Sequence, residues 1–194
     1  LGRKCTESAT CTLTRDGRVA VYMGDDARFE FIYKFVSRDR VRPGGYAANR
    51  DLLDHGTLYA ARFDASGQGA WLELTHADPS LTGANRHADQ ADVLVHARMA
   101  ASARGATPMD RPEWVAIHPS TAEVFVSLTN NSQRGEPGRP GPVPIEQQRH
   151  VIEPHHIERV PEPARPPIAR VDQIVRRVCH HHAGAARPRG RSEE

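Results

Sequence analysis

All eleven aromatic residues of this 194-residue chain lie at or before Phe125, and that asymmetry decides where a hydrophobic core can form. Residues 136–194 hold no aromatic and no lysine, but ten arginines, ten of the fifteen prolines and six of the eleven histidines. A segment that poor in large apolar groups cannot offset the entropy of ordering its chain by burial. The expectation is a folded unit over residues 1–135 and a mostly disordered Pro/Arg/His-rich tail over residues 136–194. Within that tail Ile168, Val171, Ile174, Val175 and Val178 recur at three- and four-residue steps, which suits one short amphipathic helix.

The front reads as short strands divided by turn signals. Thr10–Thr14 and Arg18–Met23 flank Arg15-Asp16-Gly17, and Asp-Gly between β-rich runs is a strong hairpin signal. Phe29–Val36 sets Phe29, Phe31, Tyr33 and Phe35 against Glu30, Ile32, Lys34 and Val36, which predicts a strand with an aromatic core face. A basic, Gly-rich loop follows from Ser37 to Asn49. Gly56–Phe63 pairs with Ala70–Leu74, and Trp114–His118 pairs with Glu123–Leu128. Between these pairs Ala88–Ala103 is Ala-rich, with Ala91, Leu94, Val95, Arg98 and Met99 at helical spacing and Asp89 and Asp92 near its start. The fold class is mainly β, with one inserted helix. Repeated antiparallel hairpins suit a β-propeller or a sandwich, and no short repeat decides between them.

Several functions are excluded by simple counts. No apolar run approaches the roughly 20 residues that span a bilayer, so no membrane insertion is expected. A net charge of +2 gives no electrostatic reason to bind nucleic acid. In the tail, eight acidic residues offset the ten arginines. Cys5, Cys11 and Cys179 are too few for a disulfide scaffold and show no zinc spacing. His155-His156 and His180-His181-His182 could hold Ni²⁺ or Zn²⁺ loosely, as disordered His clusters do without being physiological sites. The chain opens at Leu1 without a signal peptide, as a processed chain or a fragment would.

Taken alone, the candidate chemical residues look ordinary. Glu7 reads as a loop carboxylate, Asp25-Asp26 after Gly24 as an acidic turn that could face calcium, and Glu30 as the solvent face of a half-buried strand. Arg111 and Glu113 are two apart, so on a strand they would project to the same side, as a surface ion pair also does.

Three stretches change that weighting. Leu1-Gly2-Arg3-Lys4-Cys5-Thr6-Glu7, then Val19 to Phe35 with Met23-Gly24-Asp25-Asp26 at its centre, then Thr107-Pro108-Met109-Asp110-Arg111-Pro112-Glu113-Trp114 follow in order, with Gly56-Thr57-Leu58-Tyr59 between. Together they resemble the PhoX-type alkaline phosphatases, exported bacterial phosphomonoesterases built on a β-propeller around a calcium and iron cluster. The resemblance implies a fragment of a β-propeller, a phosphate monoester substrate, Ca²⁺ and Fe³⁺ as cofactors, a monomer, and a periplasmic or secreted location for the full-length family. It implies that Glu7 and Glu113 are metal ligands, that Glu30 is a further candidate ligand, and that Arg111 grips phosphate. Thr6 stands where the family usually has His. The family's iron-ligating Cys maps upstream of Leu1, so Cys5 does not take that role. This chain alone is therefore expected to be nearly inactive. The alternative is a non-catalytic β-propeller-like binding or structural module.

The resemblance runs through Glu123 to Ser132 and fades near Gly141. Arg, Pro, His, Gly and Ala all have GC-rich codons, so the residues from about 136 onward are expected to be the product of a reading-frame shift. A genuine Pro/Arg-rich tail would have the same composition.

Overall fold

The computed structural model describes residues 1–65 and 68–140. The expected tail helix at Ile168–Val178, the His clusters and the chain from 141 onward lie outside the described residues, as does part of the turn at Asp64–Gly69.

Five antiparallel strands form one sheet in the order in which they occur: β1 (Thr6–Leu13), β2 (Arg18–Asp25), β3 (Ile32–Arg40), β4 (Gly56–Phe63) and β5 (Gly69–Glu73). A second, two-stranded sheet joins β6 (Pro112–Ile117) to β7 (Val124–Leu128). Among the described residues three short α-helices interrupt the strands, α1 (Gly45–Asn49), α2 (Gln90–Val95) and α3 (Ala97–Ala103), along with one 3-10 turn at Gly83–Asn85. The architecture is mainly β and antiparallel, and the sheets are open rather than closed on themselves. Among the described residues no helix is long and apolar enough to cross a membrane.

The hairpin at Asp16-Gly17 forms where the sequence places it. The Gly17 amide donates to the Thr14 carbonyl at 2.9 Å, and Gly17 takes a left-handed φ of 84° that suits a residue without Cβ. Asp16 accepts from Thr14 Oγ1 and from Arg18 Nε, which closes the turn from the side-chain side.

Both faces of the main sheet are covered, which is why β2 is buried along almost its whole length. On one face Val19, Val21, Met23, Tyr33, Phe35, Leu58, Ala60 and Leu72 pack under Val93, Ala97, Ala100 and Ala101 of α2 and α3. On the other, Ala20, Tyr22, Ile32 and Ala61 pack under Val115 and Val124 of the β6–β7 hairpin. This second layer corrects the reading of Phe29–Val36. Phe31, Tyr33 and Phe35 are buried as expected, but so is Ile32 on the opposite face. The strand also begins only at Ile32. Phe29 has φ 65° and belongs to a turn in which Glu30 N–H donates to the Ala27 carbonyl. Phe29 is instead stacked by Arg134 and Arg139, whose guanidinium carbons lie 5.1 and 5.8 Å from its ring centre.

The single helix expected over Ala88–Ala103 is two. Asp89 caps α2 by accepting from the Asp92 amide at 2.8 Å, and at His96 the backbone leaves the helical region (φ −105°, ψ 38°) before α3 resumes. The buried face is Val93, Ala97, Ala100 and Ala101, while Val95 and Met99 are exposed. Small alanines let the helices lie close against the sheet, with Leu94 partly packed on the core while Val95 and Met99 turn outward.

Lys34 carries a test of this packing. Its ammonium lies 5.1 Å from the Tyr59 ring centre and 4.5 Å from that of Trp71, and burial pulls its pKa down to about 8. The native state thus releases its Lys34 proton near pH 8, whereas the unfolded chain keeps it to about 10.5. Stability rises with pH across that window, because the unfolded state binds more protons there. The two aromatic faces offset part of the desolvation, leaving about 1–2 kcal/mol. Lys34→Met is expected to be more stable than the parent chain at pH 7, by an amount that shrinks as pH approaches 10. Thermal unfolding at stepped pH reads both slopes, and an unchanged difference between pH 7 and 10 would contradict the account.

Candidate functional site

Two irregularities in strand pairing put carboxylates where a regular ladder would not. The β1–β2 register shifts between Thr6 and Ala9, and Glu7 sits in that interval, exposed at the strand end. The β6–β7 register shifts between Pro112 and Val115, and Glu113 sits in that one. Bulges of this kind bend a strand and re-aim its side chains.

The two bulged regions meet because β6 crosses β1 and β2 closely. Ser8 Oγ accepts from the buried Val115 amide at 3.0 Å, and Thr10 Oγ1 donates to the Val115 carbonyl at 2.6 Å. Two hydroxyls thus do for β6 what a neighbouring strand's backbone would do. Gly24 makes the crossing possible, since a Cβ there would lie 2.4 Å from the Pro112 carbonyl oxygen. Upstream of β6, Phe29 N–H donates to the Met109 carbonyl and Met109 N–H to the Glu30 carbonyl, at 3.1 and 2.9 Å. This short pairing draws Asp110 and Arg111 against the end of β2.

The result is a compact group. Glu7, Asp26 and Glu113 each place a carboxylate oxygen within 4.8 Å of the others. Arg111 sits on the same group. Its Nε and Nη2 donate to the two Asp26 oxygens at 3.0 and 3.1 Å, and Nη2 lies 3.6 Å from Glu113 Oε1. The Glu7 carboxyl is pushed above the usual carboxylate range, first by its side-chain contact with Asp26, with burial and the charges of Asp26 and Glu113 adding, and Arg111 opposing. Three hard oxygen donors this close together repel one another, and a hard cation among them would relieve that repulsion. The all-carboxylate donor set fits a hard, oxygen-binding cation.

The same-side argument for Arg111 and Glu113 needs correction. Arg111 precedes the strand and has φ 38°, so strand alternation does not relate the two; a turn and a bulge bring them together. A left-handed φ at a residue that carries a Cβ costs roughly 1–2 kcal/mol. Arg111→Gly is accordingly expected to melt higher than Arg111→Ala, by about 1 kcal/mol in stability, although both remove the guanidinium. Thermal unfolding of the pair would refute this if the alanine variant were the more stable.

Asp25 and Asp26 are neighbours with opposite fates. Asp25 is 0% exposed and receives both Nε and Nη2 of Arg98, at 2.8 and 2.6 Å, while only Asp26 joins the carboxylate group. Arg98 is held more firmly protonated by that contact. Glu30 lies on the Arg98 side, its Oε2 3.6 Å from Arg98 Nε, and burial pushes its pKa up to about 7 against the pull of Arg98. Glu30 is not one of the three grouped carboxylates. Cys5 is exposed and its thiol is free.

Sequence reasoning did not see Arg98 as part of this region and gave Asp26 no priority over Asp25. The paired acidic residues next to Gly24 were the available signal, and only the fold separates them.

Comparison with known proteins gives two matches. The family model described as alkaline phosphatase PhoX covers residues 1–166. The solved structure of Pseudomonas fluorescens PhoX in complex with vanadate, a transition state analogue, is 55% identical, with a TM-score of 0.69 over 72% of this chain and 26% of that one. This chain thus spans about a quarter of that relative's length. No curated protein matches. With the family model covering most of the sequence, the chain belongs to the PhoX alkaline phosphatase family.

Proposed function

We propose that this chain supplies part of the metal and phosphate site of a phosphatase that hydrolyses phosphate monoesters. The observation that carries the reading is the convergence of Glu7, Asp26 and Glu113 beside the forked guanidinium of Arg111. The three carboxylates would hold the cations, Ca²⁺ and Fe³⁺ by family resemblance, with Glu30 as a further candidate ligand on the other flank of Asp25-Asp26. When bound, such cations supply charge neutralisation at the phosphoryl oxygens and an activated nucleophile.

The chain's own residues account for the rest. Asp26 takes the Nε/Nη2 edge of Arg111, and the other edge of the guanidinium, Nη1–H with the second Nη2–H, has the parallel geometry that takes two phosphate oxygens at once. Asp26 and Glu113 hold that fork at the edge of the carboxylate group, so a phosphoryl group on Arg111 lies against the cation-binding oxygens. In the transition state charge accumulates on the equatorial oxygens, which is where a fixed guanidinium stabilises it most. The propeller architecture, the monomeric state and a periplasmic or secreted location belong to the same proposal.

The decisive assay compares this chain with one extended at both ends to the length of its solved relative, using p-nitrophenyl phosphate with Ca²⁺ and Fe³⁺. The chain alone is expected to show little or no turnover, because a metal cluster needs its full ligand set. The extended chain should turn over, lose activity to EGTA, be inhibited by vanadate, and lose roughly 100- to 1,000-fold in kcat on Arg111→Ala. An extended, folded chain without activity, or one indifferent to Arg111→Ala, would reject the proposal in favour of a binding module.

A further inference from the structure

The carboxylates are held from behind. Arg98 projects from α3 and engages both oxygens of the fully buried Asp25. Asp25 Oδ1 also accepts the Cys5 amide at 3.1 Å, and the Cys5 carbonyl in turn accepts the Asp26 amide at 2.9 Å. These contacts close a ring through Asp25, Cys5 and Asp26, and Arg98 grips that ring at Asp25. Glu7 leaves the ring two residues beyond Cys5, and Asp26 is part of it. On its other side Arg98 reaches Glu30, in the turn that follows Asp26. The Arg3 amide ties the same N-terminal segment to the helices through the Leu94 carbonyl at 2.8 Å.

We infer that Arg98 is a positioning residue for the cation site: through Asp25 and Cys5 it sets the spacing of Glu7 and Asp26 without touching the bound ion. The inference rests on reading Glu7, Asp26 and Glu113 as ligands. A brace and a mere neighbouring charge predict opposite signs. Deleting a cation near a metal site strengthens metal binding by relieving like-charge repulsion. Deleting a brace weakens it, and removing the groups that orient ligands typically lowers metal affinity 10- to 100-fold.

The test is Tb³⁺ titration of the full chain, with Trp114, next to Glu113, as the luminescence sensitiser. Arg98→Ala is expected to weaken Tb³⁺ binding at least tenfold. Arg98→Lys keeps the charge but not the two-pronged grip, and should weaken it by a smaller factor. Arg104→Ala removes an ion pair to Asp78 at the C-terminal cap of α3, away from the carboxylates, and should leave Tb³⁺ affinity within twofold of the parent. Arg98→Ala with unchanged or tighter binding overturns the inference. If far-UV circular dichroism shows that Arg98→Ala does not fold, unchanged or tighter binding by Arg98→Lys overturns it instead. Glu113→Gln separates the underlying reading from the inference. A parent chain that binds no Tb³⁺, or a Glu113→Gln chain that binds it equally well, removes the metal site and the brace with it.

Discussion

Gly24→Ala is expected to lower the melting temperature by roughly 5–10 °C and to abolish the cation binding proposed at Glu7, Asp26 and Glu113. A Cβ at position 24 would lie 2.4 Å from the Pro112 oxygen, 2.7 Å from the Pro112 carbonyl carbon and 2.9 Å from the Glu113 oxygen. All three are backbone atoms, so no rotamer change relieves the overlap. Either β2 or the start of β6 must move away, and both are buried in the same layer. Overpacking of this kind costs about 1–3 kcal/mol, and in a domain of this size each kcal/mol moves the melting temperature by a few degrees. The displacement separates Glu113 and Arg111 from Glu7 and Asp26, so the loss of binding should exceed what the stability change accounts for. Gly83→Ala is the control, because its new Cβ meets nothing closer than 4.0 Å. Equal melting temperatures and equal Tb³⁺ affinities for Gly24→Ala and the parent would show that β6 does not need the glycine.

Ser8→Ala should destabilise the chain by about 1–3 kcal/mol through a different route. It leaves the Val115 N–H without its acceptor, and an unpaired buried donor forfeits the full desolvation penalty. Thr10→Val removes the partner of the Val115 carbonyl on the other side. Because both hydroxyls hold one residue, the double variant is expected to cost less than the sum of the singles. Urea unfolding of the four chains closes this cycle. A Ser8→Ala chain as stable as the parent, or strictly additive costs, would mean that β6 is held by its apolar contacts alone.

These dependencies show what could be read in advance and what could not. The hairpin at Asp16-Gly17 was legible because a turn and its flanking strands are local, and so were β4, β5, β6 and β7. The burial of Phe31, Tyr33 and Phe35 followed from alternation. The start of β3 did not, because the covering of its second face by β6 and β7 comes from residues more than seventy positions away, and nothing near Phe29 announces it. The same limit applies to the site. Glu7, Arg111 and Glu113 were named from a family resemblance, whereas the bulges that aim two of them depend on which strands meet. Arg98 looked like one position of a helix surface. Its partner Asp25 looked like half of an acidic turn. Only a chain of hydrogen bonds across seventy-three residues gives either a purpose.

The docking of β6 through two hydroxyl groups also sets how this protein should open. A strand held in a continuous ladder exchanges its amide protons only when the sheet unfolds, but the β6–β7 hairpin pairs with itself and meets the main sheet by side chains and an apolar layer. It can therefore lift as a unit while the five-stranded sheet stays closed, the behaviour of a low-stability cooperative segment. Glu113 travels with that segment, and Glu7 and Asp26 stay behind. Anything that binds all three carboxylates binds only the closed form, so it holds the hairpin down in proportion to its affinity. Slowed amide exchange confined to β6 and β7 would then be a ligand signal that can be read from this chain without any turnover.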